Sequence, residues 1–223
     1  MNMKDQLALK KVLIVGLGGL GSPVAMYLAT AGIGNLVLVD FDRVDLSNLQ
    51  RQIIHNKVGQ YKVESARNKL QKLNPNIKIT TYNQPIEDLP TAMNNVDVVV
   101  DCSDNFATRF TINSICVSNA IPLVSGAAIR WSGQVAVFLP NSSCYRCLYD
   151  DSEEQAETCS ETGILAPLVG IIGSIQAIEV IKILLGVGKS LCGKLLLFNA
   201  YENNWRSIKL PKDSNCPVCS SNH

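Results

Sequence analysis

The sequence predicts an α/β protein, a doubly wound and mainly parallel sheet extended by antiparallel strands. Three observations predict it. Strand-like and helix-like runs alternate through the first half, a glycine-rich turn joins the first strand to the first helix, and after Pro122 short apolar runs follow one another at strand length. Strict alternation is what a parallel sheet with crossover helices requires, whereas consecutive strands pair antiparallel.

Taken in order, the first strand lies near Lys11–Gly16, where Val12 to Val15 are all branched and apolar. The turn Gly16-Leu17-Gly18-Gly19-Leu20-Gly21 fits the G-x-G-x-x-G pattern and leads into a helix over 22–31, making the fold Rossmann-like. A second strand, Asn35–Asp40, ends on a carboxylate. A helix follows near Lys62–Leu73, where Val63, Ala66, Leu70 and Leu73 recur at helical spacing and put Lys62 in the first turn. Strands at 78–83 and Val96–Asp101 and a helix over 105–118 complete the parallel half. The extension comprises Pro122–Ala127, Gln134–Phe138, Lys194–Phe198 and Trp205–Leu210. Between them, Ile164–Leu185 approaches membrane-spanning length, but Gln176, Glu179 and Lys182 interrupt it and argue for a buried helix, whose first half Pro167, Gly170 and Gly173 weaken.

A length of 223 residues fits one large domain, so a single domain over 1–223 is expected. Lys and Arg number 20 against 19 acidic residues, which gives no electrostatic case for nucleic acid or an anionic membrane. The stretch Met1–Lys10 lacks a secretory pattern, so a cytoplasmic protein is expected, and there eight cysteines suggest metal or chemistry before disulfides.

Backbone amides at a helix N-terminus attract phosphate, and Asp40 suits the ribose hydroxyls of either a dinucleotide or ATP. The polar cassette Asp42, Asn48, Gln50 and Arg51 has no evident use in a dehydrogenase and suits a triphosphate with its metal. Arg51 and Lys62 supply the positive charge a polyphosphate needs, while Asn48 and Gln50 can donate to phosphate or close the loop on itself. In Asp101-Cys102-Ser103-Asp104-Asn105, at a strand's carboxyl end, Asp104 is a candidate magnesium ligand or, alternatively, the cap of the following helix.

Cys144-Tyr145-Arg146-Cys147 and Cys216-Pro217-Val218-Cys219 are two C-x-x-C pairs able to make a closed structural zinc site, with a redox pair or plain reduced thiols as the alternatives. Cys102, Cys116 and Cys192 read as small buried side chains, and His55 and His223 as poor ligands. Cys159 stands in the acidic segment Asp150–Thr162, read as an exposed crossing loop, and is either an ordinary thiol or a nucleophile.

In the order GLGGLG, VDFD, LSNLQRQ, DCSDN, VSGAAI, CYRC, Cys159 and CPVC, the chain resembles the ThiF/MoeB/HesA family of ubiquitin-activating E1-like enzymes from about Val12 to Cys219. The resemblance implies ATP- and magnesium-dependent adenylation of the C-terminal glycine of a ubiquitin-fold sulfur carrier ending in Gly-Gly. The carrier is MoaD-like for molybdopterin or ThiS-like for thiamine. By the same resemblance Gly16, Gly18, Gly19, Gly21 and Asp40 hold the nucleotide, and Ser47, Asn48, Leu49, Gln50, Arg51 and Lys62 surround its phosphates. Asp104 and Asn105 handle magnesium and nucleotide, the four paired cysteines hold zinc, and Cys159 matches the family's covalent cysteine. A homodimer and a sulfur donor, a cysteine desulfurase or rhodanese-like protein, are implied as well. VSGAAI and VDFD look more like the molybdopterin branch, whereas WRS before CPVC looks more like the thiamine branch. Members usually begin with an Arg-Tyr-x-Arg-Gln-like helix, and Met1–Lys10 contains no arginine. That departure motivates an alternative, a catalytically weak E1-like protein that binds a ubiquitin-fold partner; the glycine turn and Asp40 alone motivate a nicotinamide-dependent oxidoreductase.

Overall fold

Branched apolar residues fill the first strands so completely that both faces of their sheet must be covered. β1 (Lys11–Val15) and β2 (Asn35–Val39) are each buried at every position after the first, and β4 (Val98–Asp101) throughout. The computed structural model describes residues 2–89, 92–150 and 163–220. With β3 (Lys78–Tyr82), β5 (Leu123–Ile129), β6 (Ser132–Phe138), β7 (Lys194–Asn199) and β8 (Asn204–Lys209), they form one sheet of eight strands in the order β3-β2-β1-β4-β5-β6-β7-β8. Neighbours from β3 to β5 run parallel, and those from β5 to β8 antiparallel.

Alternation along the pleat sends Val12 and Ile14 to one face and Leu13 and Val15 to the other. The first face packs on α2 (Gly21–Ala31), α3 (Lys62–Leu73) and α5 (Ala166–Leu185) through Val24, Leu28, Leu70 and Ile172. The second packs on α4 (Phe106–Ser118) through Phe110 and Ile112, together with Ile86 and Tyr145. Each such buried residue, cut to alanine, costs about 2–5 kcal/mol.

The strands and helices agree with the sequence reading to within a few residues; the fourth strand starts at Val98 rather than Val96. The long helix starts at Ala166, since Ile164 instead bridges to Arg130, and Pro167 sits in its first turn, where a missing N–H costs nothing. The helix runs unbroken through Gly170 and Gly173. At Gly173 α2 comes so close that a Cβ would stand 2.6 Å from the Leu20 carbonyl oxygen, so the position serves helix contact. The polar residues that interrupt the apolar run are bound within the protein. Gln176, fully buried, donates to the Asp101 carbonyl at 2.8 Å, and buried Glu179 accepts from Lys182 and from the Leu191 N–H. The helix is long and apolar enough to cross a membrane, yet half of that stretch is buried in the fold.

The helix α1 (Met3–Ala8), capped by Asn2, was not anticipated from sequence. It buries one side chain, Leu7, which is too little periodicity to read. Cys102 and Cys116 are buried as expected, whereas Cys192 is only half-buried.

Candidate functional site

Strand order reverses at β1 and β4, and the crevice beyond their carboxyl ends is where open α/β sheets bind ligands. The glycine turn leaves β1 into this crevice. Gly16 adopts φ +88°, and a Cβ there would stand 2.7 Å from the Cys102 carbonyl oxygen, so only glycine lets the turn lie against the end of β4. Gly21 opens α2. Asp40, at the end of β2, accepts from Leu17 N at 2.7 Å and from Asp42 N at 2.9 Å. Burial pushes its carboxyl pKa up, against the opposing pull of the Lys62 charge and these two N–H groups.

A cavity of about 150 Å³ occupies the crevice. Its walls bring together Gly16, Gly18, Gly19, Asp40, Asp42, Arg51, Lys62, Asp104 and Asn105 from segments far apart in sequence. Ser47, Asn48, Leu49 and Gln50 are not among these walls. The 3-10 turn Leu46–Asn48 closes on itself instead: Asp45 accepts from Ser47 N, and Asn48 Oδ1 accepts from Asp45 N at 3.2 Å. Arg51 reaches back to the Ser47 carbonyl at 3.0 Å.

Lys62 is buried at the start of α3 and pairs with Asp42 at 2.7 Å, an ion pair with one member half-exposed. The helix dipole does not favour a cation in a first turn, and Asp42 is the anion that accounts for one here. A phosphate entering here meets an ammonium already held at the cavity wall.

Asp104 is exposed at the cavity wall, but it does not cap α4 as one sequence reading had it. Asn105 caps the helix, its Oδ1 accepting from Thr108 N at 2.9 Å. Buried Asp101 is spent on structure, accepting from Ser103 Oγ at 2.6 Å and Ser125 Oγ at 2.8 Å. Cys102 also reaches the cavity, but burial raises its thiol pKa well above the ordinary value and leaves it protonated.

Sequence reasoning missed other wall residues: Gln52, Arg109, Gln84, Ile86, Ile164 and Val169. Arg109 had a signal, lying one helical turn after Asn105 on α4. Val169, near the start of α5, had none, because only tertiary packing brings it to the cavity.

The two C-x-x-C pairs meet. Sγ atoms of Cys144, Cys147, Cys216 and Cys219 lie within 4.8 Å of one another, with Cys144–Cys216 at 3.6 Å and Cys147–Cys219 at 3.5 Å. Tetrahedral thiolate ligation by zinc puts sulfurs about 3.8 Å apart, so the donor set fits such an ion. Asn113 of α4 donates to Cys144 Sγ at 3.6 Å and accepts from Tyr145 N at 2.8 Å, tying helix to cluster. Burial pushes the Cys144 thiol up to about 11, so a proton must leave when a cation binds. Cys159 and most of its segment lie outside the described residues.

A doubly wound sheet with an anion-attracting glycine turn, a ribose-type carboxylate and two cations at one cavity defines a nucleotide-handling enzyme of the E1-like class. The chain belongs to the ThiF family, which it matches over residues 2–218. It is 50% identical over 222 residues to the molybdopterin-synthase adenylyltransferase of Escherichia coli K12, covering 96% of this chain and 89% of that one. With the sulfur carrier protein ThiS adenylyltransferase of the same organism it shares 43% over 226 residues, covering 99% and 90%. The crystal structure of E. coli MccB with ATP superposes with a TM-score of 0.85 at 25% identity, covering 97% of this chain and 68% of that one. The chain is a nucleotidyltransferase of the adenylyltransferase type.

Proposed function

We propose that this chain uses magnesium and ATP to adenylate the C-terminal glycine of a ubiquitin-fold sulfur carrier. The observation that carries this reading is the convergence of the glycine turn, Asp40, Arg51, Lys62 and exposed Asp104 on one cavity. The carrier's terminal carboxylate attacks the α-phosphorus; a new acyl oxygen–phosphorus bond forms as the bridge to the β-phosphate breaks, and pyrophosphate leaves. No general base is required, since a carboxylate is already ionised at neutral pH. Arg51 and Lys62 neutralise the leaving charge, with phosphate displacing Asp42 from Lys62. Gly16, Gly18, Gly19 and Asp40 hold the adenosine end, and Asn105, which caps α4, lies beside the nucleotide. Asp104 would hold magnesium, which supplies charge neutralisation at the phosphates.

Zinc on Cys144, Cys147, Cys216 and Cys219 is structural in this reading, because four thiolates leave no open position for chemistry. Cys159 acts after adenylation: its thiolate attacks the acyl carbon, a thioester bond forms as the bond to AMP breaks and AMP leaves, and sulfur then comes from a desulfurase or rhodanese-like donor. One adenylation domain, working in the cytoplasm as a homodimer, completes the reading. Between carriers, 50% against 43% identity favours the MoaD-like one.

The test is exchange of labelled pyrophosphate into ATP by purified protein, alone and with either carrier. Exchange that appears only with a Gly-Gly-ending carrier is expected, fastest with the MoaD-like one. No exchange with either would overturn the activity, and faster exchange with the ThiS-like protein would overturn the choice of carrier.

A further inference from the structure

The glycine turn is gripped from two sides. Leu17 N donates to Asp40, and Leu17 O accepts from His55 Nε2 at 2.8 Å across 38 positions of sequence. A carbonyl oxygen can only accept, so Nε2 carries the hydrogen and Nδ1 does not. The ring is buried, and Nδ1 has no partner. Burial, reinforced by the Lys62 charge, holds the imidazole pKa below its ordinary value and keeps the ring neutral, despite the opposing bond to Leu17. A buried ring with one nitrogen idle and the other on a loop carbonyl is a donor kept for one purpose.

Two consequences follow from covalent geometry. The Leu17 carbonyl belongs to the peptide whose N–H is that of Gly18, and in a trans peptide these two bonds point in opposite directions. Fixing Leu17 O therefore fixes the direction of the Gly18 N–H, away from His55, and Gly18 is a wall of the nucleotide cavity whereas His55 is not. His55 also ends the series of turns that begins at Asn48 and carries Arg51, through Arg51 N and Gln52 N to Asn48 O and His55 N to Gln52 O. One hydrogen bond thus ties the glycine turn to the segment bearing Arg51.

We infer that His55 is a positioning residue for ATP: by holding the Leu17–Gly18 peptide it orients the Gly18 N–H and sets the glycine turn in register with Arg51 before nucleotide arrives. This rests on the nucleotide reading above and adds to it a residue that touches no substrate. An unheld peptide can rotate, and each rotated state must be reversed on binding, so the bond acts on affinity for ATP rather than on stability alone.

The test is calorimetric titration of purified protein, without carrier, by magnesium-ATP, alongside the melting temperature. His55→Leu fills the space without a donor, with His55→Met as its substitute if the leucine variant does not purify, and His55→Gln restores an N–H. Val180→Ala, in the core of α5, serves as a control that lowers melting without touching the turn. Loss of this donor should weaken ATP binding about tenfold, the value of one hydrogen bond, with His55→Gln recovering most of it and Val180→Ala unchanged. In pyrophosphate exchange, His55→Leu should raise KM for ATP more than it lowers kcat. His55→Leu binding ATP as tightly as the natural chain, or His55→Gln binding as poorly as leucine, would overturn the inference while leaving the adenylation reading intact. Failure of the unmodified chain to bind ATP would overturn both.

Discussion

The parallel and antiparallel halves of the sheet bring distant residues together at opposite ends of the strands. In the parallel half, strand direction does the work: β1, β2 and β4 all point their carboxyl ends at one crevice, so Gly16, Asp40 and Asp104 arrive there because each follows a strand. In the antiparallel half β6 and β8, both antiparallel to β7, run the same way, so the segments that follow them leave at the other end of the sheet. There Cys144 and Cys216, 72 positions apart, meet in a cluster of four cysteines that could hold a metal ion. The first site sits directly on the strand ends, whereas the second gathers four thiols that a bound ion would cross-link. Chemistry should therefore be lost by single substitutions in the first half, and stability in the second.

The sharpest break would be Asp104→Ala, for which carrier-dependent pyrophosphate exchange should fall about a thousandfold while the affinity for ATP changes far less. A metal ligand acts mainly as charge develops on the leaving group, several kcal/mol at about 1.4 per tenfold. Next, Lys62→Met should lower exchange about a hundredfold, the usual loss of one preorganised cation at a phosphate, and leave Asp42 and Asp40 without their counter-charge. Across the divide, Cys216→Ala should release the metal and lower the melting temperature by about 10 °C, from a loss near 3 kcal/mol in a chain of this size. Exchange below that temperature should drop only a few-fold, through Asn113 and α4, and a thousandfold loss would erase the distinction between the halves. Cys159→Ala should leave exchange within about twofold, because the carrier carboxylate is itself the nucleophile, while carrier thiocarboxylate formation, followed by mass spectrometry, fails.

The smallest effect concerns pH. The folded pKa of His55 lies below its ordinary value of 6.5, so the unfolded chain takes up the proton first as pH falls. Its share of stability is complete above 6.5 and is lost on descending toward the lower, folded value. His55→Gln should accordingly lose less melting temperature than the natural chain between pH 7 and 5.5.

Most of the parallel half was legible in the sequence because its signals are local. A run such as Val12 to Val15 declares its own strand, and a glycine turn declares the helix after it. The paired cysteines were legible for a different reason: their spacing states a coordination number. What could not be read was competition for the same atoms. Of the two uses the sequence leaves open for Asn48, the structure shows the loop closed on itself, with Asn48 Oδ1 accepting from Asp45 N, and Asp42, marked for the nucleotide, already holds Lys62. The cap of α4 fell to Asn105 rather than Asp104, a difference of one position that backbone dihedrals decide. Gln52 and Val169 at the cavity depend on tertiary approach alone.

The cysteine cluster also changes the topology of the covalent chain. Between Cys147 and Cys216 lie α5, β7 and β8, so a bound ion makes this whole span a closed ring attached to the rest of the molecule at one point. A single backbone cut inside the ring would not release a fragment: the two pieces would stay joined through the ion and through the pairing of β6 with β7. Such a nicked protein would melt as two chains rather than one, with a melting temperature that depends on its concentration once a chelator has taken the ion.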